Sequence, residues 1–303
     1  MAADSVPGGG RMNGLATLLS QPFLRYAFVA GAAIAAASGL TGYFLVLRSQ
    51  VFTGDALSHV AFTGALAALA AGANLLIGLY GGCVLVALVM AALGFRGMAD
   101  DTVIGSVFAW VLGLGALFLS LYTSSASGTN ATAGVSVLFG TIFGLQHGQA
   151  VTDTAVTLGV CVIMAMIARP LLFASIDAAV ARVRGVRVRA LDAAFLGLVG
   201  VTAAAATQAV GALLLLGLLA APAGAAQRLT SRPFRGFWLS AALAVGSVWA
   251  GLLIAYAAPS VPPSFGILSV ATVAYLAAIA LTARRRPRGL ARLAQPRRDS
   301  PGV

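Results

Sequence analysis

The sequence contains no lysine and no glutamate: all 19 of its basic residues are arginine and all 8 acidic ones are aspartate. The missing lysine excludes a nucleotide-binding P-loop, whose lysine must reach the phosphates, so the chain carries no ATPase of that kind. Charge of either sign is scarce, at 9% of residues against 60% hydrophobic, and the mean hydropathy of +0.96 lies far outside the range of water-soluble domains. No polar stretch is long enough to hold a soluble domain. Cysteine is limited to Cys83 and Cys161, each within an apolar run. That leaves no disulfide framework and no cysteine metal motif, and both read as small buried hydrophobes. The net charge of +11 comes from arginines without interleaved aromatic residues. Membrane topology and anionic lipid headgroups account for such a distribution, and no nucleic-acid partner is expected.

What is present is hydrocarbon in long runs. About nine are long enough, or nearly so, to cross ~30 Å of bilayer. They cover approximately Phe23–Leu47, Asp55–Ala71, Leu75–Phe95, Thr102–Tyr122, Ala150–Ala168, Leu191–Thr207, Ala209–Ala226, Phe237–Ala257 and Phe265–Thr282. The expected fold class is an all-α polytopic membrane protein of about nine transmembrane helices, or eight, with the transmembrane domain over residues 23–283. Residues 1–22 are polar and are expected to be disordered or to lie on the membrane surface; they lack the cleavage site of a signal peptide. Residues 131–147 are apolar but short and broken by glycine, which predicts a short or re-entrant helix.

The arginines set the topology. Arg48, Arg96, Arg169–Arg189, Arg228–Arg235 and the seven arginines of the 284–303 tail follow every second span. The alternate connections, including Gly72–Asn74, Thr123–Asn130, Gln208 and Pro259–Ser264, contain no charge. This parity predicts an outer N-terminus and a cytoplasmic C-terminus. Arg11 and Arg25 dissent, since they flank the first span on the outer side.

One stretch carries chemistry: Gly54-Asp55-Ala56-Leu57-Ser58-His59. Asp55 and His59 are four residues apart, hence on one helix face. An ionisable group inside a span costs ~2.5–3.5 kcal/mol even on a lenient insertion scale, and both are competent metal ligands. A plainer reading makes Asp55 a helix N-cap and His59 a satisfied interior imidazole. Asp100, Asp101, Asp153 and Asp192 each open an apolar run and read as caps, while His147 reads as a surface residue. Small residues at Gly31, Ala35 and Gly39, at Gly64 and Ala68, and at Gly197 and Gly200 predict close helix packing.

Residues 54–59 resemble the Gly-Asp-x-Leu/Ile-Ser/Ala-His motif of the membrane permeases of zinc, manganese and iron ABC importers. Asp101-Thr102-Val103-Ile104-Gly105 and Leu138-Phe139-Gly140 are similar to two further landmarks of that family, in order. Val210-Gly211-Ala212-Leu213-Leu214, continuing to Ala221-Pro222-Ala223 and Ala226, resembles its Val-Gly-x-Leu-Leu…Pro-Ala-x-x-Ala helix and singles out Pro222, with Arg228 just beyond it. The likeness covers residues 24–283.

The resemblance implies the vitamin-B12-importer-like (type II) permease architecture and a pathway shared with a second permease subunit, identical or homologous. It also implies two copies of an ABC ATPase subunit, an extracellular metal-binding protein and a bacterial plasma-membrane location. Asp55 and His59 become the metal-ligand candidates for a transported Zn2+, Mn2+ or Fe2+, with no permanently bound cofactor. Residues 173–186 form the candidate coupling segment: Pro170 is expected to end the preceding helix, Asp177 to cap a two-turn helix through Ala181, and Gly185 to close it. Here the family's usual proline is replaced by Ala178. Two other classes stay open: a siderophore or corrinoid permease, which needs no Asp/His pair, and a secondary transporter or channel using Asp55.

Overall fold

The computed structural model describes residues 22–93, 101–125, 140–212, 215–258 and 260–285. Expectations for the N-terminal segment, the arginine tail and most of 131–147 therefore lie outside the described residues. The helices are α1 (Pro22–Leu47), α2 (Val51–Ala70), α3 (Leu75–Leu93), α4 (Asp101–Ser125), α5 (His147–Ile176), α6 (Ala178–Val183), α7 (Val188–Val210), α8 (Leu215–Leu229), α9 (Pro233–Ala257) and α10 (Pro263–Arg285), with a 3-10 turn at Ile142–Gly144.

Seven of these, α1, α3, α4, α5, α7, α9 and α10, are long and apolar enough to cross a membrane by length and composition. The other two runs expected to span are α2 and α8. The 15 residues of α8 extend only ~22 Å at 1.5 Å per residue. Both have protein on most sides: α2 packs against α3, α4, α7 and α8, and α8 against α1, α9 and α10. Helices with protein neighbours need not present the uniformly apolar surface that lipid demands, so polar residues concentrate there at lower cost.

Small residues bring the backbones together. A β-carbon on Gly39 of α1 would lie 2.7 Å from the Ala241 α-carbon of α9, and the Ser240 hydroxyl donates to the Gly39 carbonyl at 2.7 Å. Gly64 of α2 meets Gly78 of α3 backbone to backbone. In α7 the run Ala203–Ala206 is fully buried. Here van der Waals contact between backbones supplies the attraction that lipid cannot.

Two expected boundaries move. α5 continues through Pro170 to Ile176 rather than ending before it. The proline ring fits helical φ and removes one hydrogen bond, a loss that membrane helices tolerate. The break between the sixth and seventh runs falls at Gly211 rather than Gln208, because φ of +99° there is a conformation that favours glycine. Gln208 stays within α7, and its carbonyl accepts from Thr141 N at 3.2 Å. The 3-10 turn thus sits at that end of α7.

Candidate metal site and coupling segment

The turn between α1 and α2 is pinned from three sides. Arg48 Nη1 donates to Asp192 Oδ1 at 2.7 Å, its Nε donates to Ser175 Oγ at 2.7 Å, and the guanidinium lies 5.2 Å from the Phe195 ring centroid. Asp192 is the fifth residue of α7, so it serves as a cross-helix anchor and not as the expected cap. With α1, α5 and α7 fastened together, the first turns of α2 have a fixed start and direction.

Asp55 is the fifth residue of α2, whose N-cap is Gln50. The capping reading of Asp55 therefore fails. Around it Thr53, Gly54, Ala56, Leu57, Ser58 and Val60 are buried, whereas Asp55 and His59 are only half-buried and Phe52 is 71% exposed. The helix period puts Phe52, Asp55 and His59 on one face, which the other helices cover only in part. The His59 ring meets Phe108 of α4 edge-on at 5.2 Å, and Ser58 Oγ donates to the Asp55 carbonyl at 2.7 Å. Among the described residues, no side chain bonds the Asp55 carboxylate or the His59 ring nitrogens. Nor is there, among them, any group of three or more His, Cys, Asp or Glu side chains placed to hold a metal. One chain thus offers two adjacent candidate ligands on a partly open face.

The candidate coupling segment lies at the opposite end of α5 from His147. Asp177 Oδ1 accepts from Ala179 N at 2.9 Å and Val180 N at 3.0 Å, capping α6. Gly185 closes it with φ +84°, and Val186 N donates to the Ala181 carbonyl at 3.0 Å. Ala181 is fully buried against Ala174 and Val188, while Ile176, Val180 and Val183 are 74%, 43% and 89% exposed. Asp177, Ala181 and Gly185 therefore shape the segment, and the exposed stripe is its outward surface. Pro222 is buried within α8, and Arg228 stacks over the Tyr275 ring at 5.6 Å.

Besides Arg48–Asp192, sequence reading missed a second pair. Asp153 is the seventh residue of α5, fully buried, and accepts from the Tyr80 hydroxyl of α3 at 2.6 Å. It is no cap; the Gln146–Gln149 capping box already serves that end. Tyr80, a polar tip in an otherwise apolar run, was the available signal. Removing the donor strands a buried carboxyl group, so Tyr80→Phe is expected to destabilise the protein by about 1–3 kcal/mol. Asp153→Leu added to Tyr80→Phe removes the stranded group and should recover most of that loss. Thermal unfolding of both variants in detergent checks this; equal stability of wild type and Tyr80→Phe would refute it.

The chain is 28% identical to the manganese import system permease protein ScaB of Streptococcus parasanguinis over 235 residues, 77% of this chain and 82% of that protein. It is 30% identical to the manganese transport system membrane protein MntC of Halalkalibacterium halodurans over 240 residues, 78% and 79% of the two chains. A probable iron transport system membrane protein of Haemophilus influenzae is 26% identical over 235 residues, 77% and 84%. Among solved structures, PsaBC from Streptococcus pneumoniae in complex with Fab superposes with TM-score 0.76 at 23% identity, covering 88% of this chain and 94% of that one. An inward-facing metal-chelate type ABC transporter gives TM-score 0.61 at 14% identity, with 90% and 92% covered. These two likenesses establish the all-α permease fold. The model of the ABC 3 transport family matches residues 20–282, nearly the whole described chain, and the protein belongs to that family.

Proposed function

We propose that this chain is the membrane permease subunit of an ABC importer for a divalent transition metal, with Asp55 and His59 as ligands to the ion in transit. The observation that carries the reading is the pair on the partly open face of α2, in a chain of this family. Two ligands are too few for a dedicated site. A two-fold axis beside α2 brings a second pair and makes four N/O ligands, enough for tetrahedral Zn2+ and a base for higher coordination of Mn2+ or Fe2+. An organic chelate, the cargo of the alternative reading, has no use for such a pair. ATP hydrolysis belongs to a separate subunit, in two copies, which docks on α6; an extracellular metal-binding protein delivers the ion at the other end.

The reading is tested by metal content. Permease purified with its ATPase but without the metal-binding protein is expected to retain one Mn2+, Zn2+ or Fe2+ per two permease chains, and His59→Ala to retain none. Retention by the variant would count against the site.

The orientation is part of the same proposal: N-terminus outside, C-terminus in the cytoplasm, as the arginine parity requires. Ser260 and Arg184 are both exposed and lie in connections of opposite assigned side. Ser260→Cys should react with an impermeant thiol reagent in intact cells and Arg184→Cys should not. The reverse pattern would invert the topology.

A further inference from the structure

At the end of the bundle remote from α6, α1 and α5 part around a cavity of about 570 Å3. Arg25, Tyr26 and His147 rim it, and Val29 and Val151 form its walls one turn further in. The Tyr26 ring meets His147 edge-on at 5.2 Å, which holds the two rings together at the rim. Val29 and Val151 are 59% and 52% exposed, and both belong to helices that cross the membrane, so the cavity opens to acyl chains. No carboxylate lines it, and among the described residues no acid pairs with Arg25. Asp153, on the same stretch of α5, is turned to Tyr80 instead.

The rim is cationic and rich in donors, and the wall is apolar. Arg25 is also an arginine that the charge parity does not call for. A guanidinium at the first turn of a membrane helix is matched by a phosphodiester, which it binds through paired hydrogen bonds. The hydrocarbon wall below it matches the acyl chain of the same molecule. We propose that this cavity is a site for one anionic phospholipid, its phosphate on Arg25 beside the paired Tyr26 and His147 rings, one chain lying along Val29 and Val151. The site is independent of the metal reading, and its test does not involve transport.

Leu158 is 58% exposed on α5 and lies about two turns below Val151. A bimane label on Leu158→Cys, with Cys161→Ser, reports which lipid occupies the groove in vesicles containing the full complex. Dibrominated phosphatidylglycerol is expected to quench it at about fivefold lower mole fraction than dibrominated phosphatidylcholine, the ratio that one cation near the headgroups provides. Arg25→Gln, at an exposed position, should abolish that preference while leaving quenching by the neutral lipid unchanged. Equal quenching by both lipids in the parent, or an unchanged preference in Arg25→Gln, would overturn the proposal. So would quenching that appears only after residues 2–20 are deleted, since the chain's own N-terminal segment would then be the occupant.

Discussion

His59→Ala and Asp55→Ala are each expected to reduce metal uptake at least about 100-fold, to the background of cells without the permease, while the subunits still assemble. Losing a residue that merely orients a ligand costs 10–100-fold in affinity, and removing the ligand itself costs no less. In a two-fold site each substitution removes two ligands of four. The effect on folding is small, because both side chains are half-buried and, among the described residues, neither side chain is hydrogen-bonded. Phe108 retains its place on α4 and loses only a ring contact. Acidification should weaken metal binding in the parent, since a proton competes for the imidazole lone pair that the ion needs. Uptake in cells, measured beside the amount of complex recovered from membranes, separates loss of transport from loss of protein.

Val180→Glu combined with Val183→Glu is expected to leave metal binding intact and to cut ATP-driven transport at least about tenfold. Both side chains lie on the exposed stripe of α6, and a carboxylate there places charge in the apolar contact that a docking helix needs. Ala181 lies midway between the capping Asp177 and the closing Gly185. Its burial against Ala174 and Val188 changes what a charge there would do: Ala181→Glu would disrupt the α6–α7 junction itself. Co-purification of the ATPase and its stimulation by metal are the readouts for the double variant. Unchanged values for both would move the docking surface to Gln227–Arg235.

Much of this was legible in the chain because lipid enforces simple rules. Runs of apolar residues located the helices, since hydrocarbon tolerates no bare backbone, and arginine parity assigns a side to each connection, the assignment that labelling of Ser260→Cys and Arg184→Cys tests. The Asp55–His59 pair stood out because two ionisable groups four apart in a span need a reason. What stayed hidden depends on tertiary partners. Asp153 and Asp192 looked like caps until Tyr80 and Arg48, 73 and 144 residues away in sequence, reached them. Pro170 looked like a terminus, yet α5 runs on through it. The break at Gly211 hangs on one φ angle, and nothing in the apolar pattern around Gln208 displaces it by three residues.

The most direct test is transport by the complete complex in proteoliposomes, with ATP inside the appropriate compartment and the metal-binding protein on the other side. ATP-dependent accumulation of labelled Mn2+, Zn2+ or Fe2+, abolished in His59→Ala and Asp55→Ala, is the predicted result. Equal accumulation by the parent and both variants, or movement of a chelate with no free metal carried, would contradict it.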